Sequence, residues 1–386
     1  MDHYRLHTAI YRTVRFWGSP IVRAIFGYSC EELKGIPGPI LLLANHNTDL
    51  DPGFVGIASE EPIYFVATEK ILRMGLLTPV LMNLFHPIIH YKGKAGISSV
   101  KEILARLKEN RNVALFPEGN RSFNGLTGDF LSSTGKMAKR SGATLVTYRL
   151  RGGYFTSPRW STSFRRGRVY GEIAAVYPPE ILNKMTEAEV NEAIRRDLFV
   201  DAYADQEKDR ISFKGKNLAL GLESTLFACP ACGMISTLHS QGDRISCRCG
   251  YSAKYDQYGF LHDSDGQTDT ITRLDTLQRE KICFLASQTE DVLLFEDAVW
   301  AETIGSDHKV LSRKQTVLRA WRDKLSVGED VLPFLQITGM AINQRNLLIL
   351  HMSEGNRHLE LSGDISFSAL KYLYLYQLAR NKYEKI

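Results

Sequence analysis

Between Gly38 and Asp205 short apolar runs alternate with longer stretches whose apolar residues recur at helical spacing. The runs 40–44, 63–68, 88–91, 113–116, 143–150 and 168–175 have the length and content of strands. Between the third and fourth, Ser99-Val100-Lys101-Glu102 carries a reciprocal capping pattern, and Val100, Ile103, Leu104 and Leu107 form one apolar stripe. A strand, a helix of this length and another strand most simply make a right-handed parallel crossover. A second helix is predicted from Thr186, capped by Thr186-Glu187-Ala188-Glu189 and running past Tyr203. The expected class for residues 36–208 is therefore α/β, with a mixed, mostly parallel sheet flanked by helices.

The two ends of the chain have a different texture. Within residues 1–35, Tyr4, Ile10, Tyr11, Val14, Trp17, Ile21, Ile25 and Phe26 fall at near-helical spacing, interleaved with Arg5, Arg12, Arg15 and Arg23. Gly18-Ser19-Pro20 is expected to break this segment into a helix pair. Basic residues beside Trp and Phe suit helices lying in an anionic membrane interface, and the plain alternative is packing on the domain. Residues 74–91 lack a formal charge but contain Pro79, Asn83, His86 and Pro87, so they read as apolar lining or core rather than a bilayer crossing. The N-terminus has neither the apolar core nor the small-residue cleavage site of a secretory signal. Residues 256–386 read as a smaller, mainly β domain. Strands are expected at 292–295, 334–337, 347–351 and 358–361, turns at 343–346 and 353–356, and a closing helix over 367–380.

Residues 209–255 contain four of the six cysteines, as Cys229-x-x-Cys232 and Cys247-x-Cys249, each pair followed by a glycine. Thiolates paired this closely on two turns can close a tetrahedron around zinc, and no export signal supports disulfides instead. The pattern resembles a zinc ribbon, its second pair one residue shorter than usual. Four thiolates leave no open coordination position, so the expected zinc is structural. Cys30 and Cys283 are isolated and expected to be buried, and His239 is expected at the surface.

Two polar turns follow apolar strands and carry chemistry. Residues 39–43 run into Asn45-His46-Asn47-Thr48-Asp49-Leu50-Asp51, and residues 113–116 run into Pro117-Glu118-Gly119-Asn120-Arg121-Ser122. An imidazole at a strand end with a carboxylate five positions on can take a proton from a hydroxyl, the carboxylate orienting the ring. Gly119 permits a tight turn, while Glu118 and Arg121 offer an acceptor and a planar fork suited to phosphate. Sites in open α/β sheets form beyond the carboxyl ends of strands, so the two turns converge if their strands are parallel.

Together these motifs resemble the glycerolipid acyltransferase family, typified by 1-acyl-glycerol-3-phosphate acyltransferases, over about residues 36–205. The resemblance implies transfer of an acyl chain from acyl-CoA or acyl carrier protein to the hydroxyl of a lysophospholipid. It makes His46 the base and Asp51 its orienter. It places Glu118, Gly119 and Arg121 on the acceptor, with Arg121 on its phosphate. Lys92, in Pro87-Ile88-Ile89-His90-Tyr91-Lys92-Gly93, stands where the family usually has arginine, and 143–150 lacks the proline of a later family motif. Both departures fall where acceptor choice is made. The chemistry implied needs no catalytic metal or organic cofactor.

Composition narrows the partners. The 386-residue chain is 44% hydrophobic and 24% charged, which excludes disorder at scale. Its net charge of +5 is unevenly placed: Lys136, Lys139, Arg140, Arg149, Arg151, Arg159, Arg165, Arg166 and Arg168 follow one another with no intervening acid. Beside such a site the run is expected to face anionic lipid, CoA phosphates or an acidic carrier protein, on the cytoplasmic face of a membrane as a peripheral protein. Nucleic acid, the rival partner, is disfavoured because the ribbon carries few positive charges. The ribbon and C-terminal domain are expected to recruit a protein partner or regulate.

Overall fold

The computed structural model describes residues 3–90, 96–288, 292–305, 308–352 and 358–383. The chain divides into two compact units, Met1–Pro158 with Phe164–Lys214, and Arg159–Ser163 with Gly215–Ile386.

The first unit is built on a seven-stranded sheet. Its strands are β1 (Ser29–Cys30), β2 (Ile40–Ala44), β3 (Ile63–Thr68), β4 (Ile88–His90), β5 (Asn112–Leu115), β6 (Thr144–Arg151) and β7 (Tyr170–Tyr177). They lie in the order β1-β7-β6-β2-β5-β3-β4, and every neighbouring pair is parallel except β6 with β7. Central β2 is buried at all five positions. Ile40, Leu42 and Ala44 enter the core on one face, and Leu41 and Leu43 enter the core on the other. That is why its sequence is continuously apolar rather than alternating.

Helices α1 (His3–Phe26), α2 (Asp51–Ala58), α3 (Leu77–Phe85), α4 (Ile97–Lys108), α5 (Ser133–Arg140), α6 (Gly153–Thr156), α7 (Pro179–Lys184), α8 (Glu187–Leu198) and α9 (Ala202–Asp209) complete the unit. Three expectations change here. α1 runs through Pro20 as one helix instead of a pair. Contacts on both sides of the proline hold it: the Tyr11 hydroxyl donates to Gly56 O at 2.7 Å, Arg15 Nε donates to Ile57 O, and Phe26 meets Phe54 edge-on. One lost intrahelical bond is offset by this packing. α4 starts at Ile97, before the anticipated cap, and the Ser99 hydroxyl instead donates to Gly96 O at 2.9 Å. The predicted helix from Thr186 does have its capping box but ends at Leu198. Phe199 is extended, and the Asp201 carboxylate accepts from the amides of Tyr203 and Ala204 to start α9.

Exposure corrects three further points. Cys30 is half-buried and Cys283 exposed. Leu76, within the uncharged segment expected as lining or core, is 93% exposed. The basic run is not one free face, since acids from elsewhere in the chain meet it. Arg149 and Arg151 share Glu172, Arg151 also reaches Asp205, and Arg165 is fully buried. No described helix is long and apolar enough to cross a membrane.

The second unit holds two antiparallel sheets. The first joins β8 (Leu238–Gln241), β9 (Arg244–Cys247), β10 (Ser252–Tyr255), β11 (Leu261–Asp263) and β12 (Thr268–Asp269) in chain order. The second orders β16 (Asp330–Pro333), β15 (Lys324–Val327), β14 (Val310–Ala320), β13 (Phe295–Ile304), β19 (His358–Ser362), β18 (Leu347–Met352) and β17 (Ile337–Asn343). Helices α10 (Ile271–Ser287) and α11 (Ala369–Tyr383) pack with them, α11 being the expected closing helix. Of the expected strands, 292–295 shifts almost wholly downstream and 334–337 is mainly a helical turn, Phe334–Gln336, preceding β17. The turn expected at 353–356 lies outside the described residues.

Candidate active site

Parallel β2 and β5 are direct neighbours, so the two motif turns leave the same edge of the sheet side by side. The Asn45 carboxamide spans to β6, donating to Leu150 O at 2.9 Å and accepting from Leu150 N at 2.7 Å. This pins the chain one residue before His46. The imidazole then stacks on Phe116 with ring centroids 4.4 Å apart, and its Nδ1 lies 2.8 Å from Asp51 Oδ2. Asp51 opens α2 and is fully buried. The same Oδ2 accepts from the amides of Asn47 at 2.6 Å and Thr48 at 2.9 Å. The carboxylate is therefore fixed behind the ring, and the ring itself is 19% exposed, leaving Nε2 as its outward nitrogen.

Glu118 ties the turns together across 72 positions of chain: Oε1 accepts from His46 N at 2.7 Å, and Oε2 from Gly128 N at 2.5 Å. Both oxygens are thereby engaged by backbone, which gives the residue a supporting place beneath His46. Burial pushes its carboxyl up to about 8 against the pull of the two amides, with Asp51 adding to the rise. Ser122 N donates to His46 O at 2.9 Å and closes the junction from the other side. Gly119 has φ +64 and is exposed, with open space around it, which makes it a turn residue. Arg121 is 8% exposed, and its Nη1 lies 3.2 Å from the exposed Asp49 carboxylate. His46, Asp51, Glu118, Gly119 and Arg121 are thus brought to one edge, whereas Lys92 lies outside the described residues. Sequence reasoning assigned no part to Asn45, Phe116, Gly128 or Asp49. Only Asn45, abutting the histidine, carried a signal, because its amide is buried at a strand end.

A family model described as Acyltransferase matches residues 28–151, which contain all of these groups. Residues 28–151 form a domain of the acyltransferase family. A curated relative, the 1-acyl-sn-glycerol-3-phosphate acyltransferase of Borreliella burgdorferi, is 26% identical to the chain over 109 residues. That alignment covers 28% of this chain and 43% of the relative, less than half its length. The crystal structure of the 1-acyl-sn-glycerophosphate (LPA) acyltransferase PlsC from Thermotoga maritima aligns with a TM-score of 0.46 at 18% identity, covering 54% of this chain and 84% of that one. The acyltransferase domain ends at β6, so the second unit lies wholly beyond the family match.

In the second unit the sulfurs of Cys229, Cys232, Cys247 and Cys249 lie within 4.8 Å of one another. Cys229 and Cys249 approach to 3.7 Å and Cys232 and Cys247 to 3.9 Å. Four thiolates at a tetrahedral zinc are spaced by about 3.8 Å, so the residues fit that ion, whereas a disulfide needs about 2.05 Å. Gly233 at φ +66 and Gly250 at φ +100 turn the chain after each pair. Their amides donate to Cys229 O and Cys247 O. His239 is exposed, as expected.

Proposed function

We propose that the chain transfers an acyl group from acyl-CoA or acyl carrier protein to the hydroxyl of a lysophospholipid, with 1-acyl-glycerol-3-phosphate the best-fitting acceptor. The observation that carries this reading is the His46–Asp51 pair, backed by two amides, with the buried Arg121 guanidinium on Asp49 of the same turn as the pair. The acceptor hydroxyl meets His46 Nε2, which removes its proton as the oxygen attacks the thioester carbonyl carbon. Asp51 stabilises the imidazolium so formed. Collapse of the tetrahedral intermediate breaks the C–S bond, and the imidazolium proton passes to the departing thiolate. Arg121 holds the acceptor phosphate as a bidentate fork, so binding energy orients the hydroxyl. Glu118 supports His46 through its amide. The departures from the family motifs, Lys92 and the missing proline, fall on acceptor choice rather than on this proton transfer.

The reading extends to a membrane surface. On α1, Phe16 and Trp17 are each 70% exposed and Ile21 is 58% exposed, while Tyr11 and His7 are buried and pack on the domain. The helix is held by the domain and still presents an apolar strip flanked by arginines, which suits peripheral binding to the cytoplasmic face. Zinc at the four cysteines would be structural, and the second unit would recruit a partner or regulate.

The test incubates purified protein with lysophosphatidic acid and labelled acyl-CoA, or acyl carrier protein thioester, and follows diacylated product. His46→Ala should remove most turnover without altering the circular dichroism spectrum. Near-normal rates in that variant would sink the assignment. Activity confined to acceptors without phosphate would reject the Arg121 role. Sedimentation with anionic vesicles, lost on Trp17→Glu, tests the surface.

A further inference from the structure

The second unit contains a cavity of about 260 Å³ walled partly by acids and partly by hydrocarbon. Glu223, Glu296, Asp297 and Asp364 line it. Two of these have cations of their own. Lys371 Nζ lies 2.7 Å from Asp297 Oδ2, and Arg319 Nε lies 2.6 Å from Glu296 Oε2. Asp364 accepts from the Ser366 amide and hydroxyl at 2.8 and 2.6 Å, and no cation faces it among the described residues. Glu223 differs from all three. It sits in the helical turn Leu222–Ser224, is 5% exposed, and its Oε2 has no hydrogen-bond partner. A buried carboxylate oxygen without a donor is costly, and native proteins retain one where something else completes it.

We infer that this cavity binds an alkylammonium group, its nitrogen paired with Glu223 and its methylene stem laid against Phe227, Leu238 and Phe367. Chemistry separates this from other cations. Calcium takes about six to eight oxygen ligands and magnesium a near-ideal octahedron. Among the described residues no three carboxylates converge in this unit to supply either. An ammonium needs few acceptors, and a hydrocarbon stem gains from apolar walls, as lysine side chains do when they lie along apolar surface. The cavity is smaller than the roughly 300–1,000 Å³ of sites for whole drug-sized molecules, so it takes a side-chain-sized group. A free aliphatic amine and the lysine of a partner protein present that same group. The second unit, which the family match does not reach, thereby acquires a binding site of its own.

The full chain with zinc bound is titrated with n-butylammonium and with the peptide acetyl-Gly-Lys-Gly-amide, using its norleucine counterpart as control. Calorimetry gives affinity, and methyl NMR gives location. The expected result is shifts of the Leu226, Leu238 and Ala298 methyl signals, which line the same cavity, with no binding of the norleucine peptide. Glu223→Gln should weaken binding about tenfold or more, as a charge-assisted contact is lost. Tighter binding of the lysine peptide than of butylammonium supports the proposal with a protein partner as source, and the reverse order supports it with a free amine. Should Glu223→Gln fail to fold, the methyl shifts of the unaltered protein decide. Absence of shifts at those three residues, unchanged affinity in Glu223→Gln, or the same shifts from calcium or magnesium alone would overturn it.

Discussion

Glu118→Gln exchanges one oxygen for an NH2 at the group that joins the two motif turns. The carboxyl supplies two acceptors, one for the His46 amide at 2.7 Å and one for the Gly128 amide at 2.5 Å. A carboxamide supplies one, and its NH2 then meets an N–H. One amide is left unpaired, at a cost of about 1–3 kcal/mol. Where that cost is relieved by moving His46 away from Asp51, it reappears in the barrier as roughly a five- to hundred-fold loss of kcat. KM for lysophosphatidic acid should change by less than about threefold, because both Glu118 oxygens are already engaged by backbone amides. Initial rates of CoA release over an acceptor series separate the two constants, with Glu118→Asp, one methylene too short for both amides, as a second probe. A tenfold rise in KM at unchanged kcat would put Glu118 on the acceptor and refute the reasoning. The same substitution has a pH signature. Burial holds the carboxyl at about 8 against its ordinary 4.5, so the folded chain keeps a proton that the unfolded chain has released. Stability from this group is therefore full below the lower value and declines as pH rises towards the upper one. Urea midpoints from about pH 5 to about pH 8 should fall more steeply in the parent than in Glu118→Gln. Parallel profiles would show the carboxyl ionising at its ordinary pH.

Asp51→Asn keeps an oxygen for the two amides but removes the charge behind the ring. A fall in kcat of about 10³–10⁴ is expected at unchanged fold, and a loss under about tenfold would deny Asp51 its part. Arg121→Lys replaces a fork by a point charge and should raise KM for lysophosphatidic acid about tenfold while leaving monoacylglycerol kinetics alone. An equal effect on both acceptors would detach Arg121 from the phosphate. Metal analysis should find one zinc per chain, lost in Cys232→Ser together with a lower Tm, because binding energy at such a site is folding energy. Absence of zinc from a protein prepared with zinc would dismiss the ribbon.

The central strand 40–44 was legible because burial on both faces leaves nothing but apolar residues, and the half-buried 63–68 also appears with the anticipated ends. The helix over residues 99–107 implied a parallel crossover only between 88–91 and 113–116, and the convergence of the two turns hung on 40–44 lying parallel to 113–116, which it does. What local pattern could not carry was tertiary. Pro20 reads as a break because what holds the helix, Gly56 and Ile57 before the proline and Phe54 after it, lies in a later part of the chain. The basic run was read as one surface because Glu172 and Asp205, which meet it, lie outside it in sequence. Nothing in the turn of Glu118 announces the Gly128 and His46 amides that its oxygens accept from. Helix α10 lacks a clean apolar stripe, with Asp275 and Gln278 buried among its apolar residues, and went unread for that reason.

The carboxylate of Asp49 rests on Arg121. On the proposed function an arriving head group would displace a carboxylate held by the neighbouring turn of the same chain, whose local concentration no solute matches. A doubly ionised phosphate can win that exchange on charge, whereas a singly charged ester starts at a disadvantage. On that reading the arginine would be a sieve for ionisation state, set by a neighbour that takes no part in the bond being made.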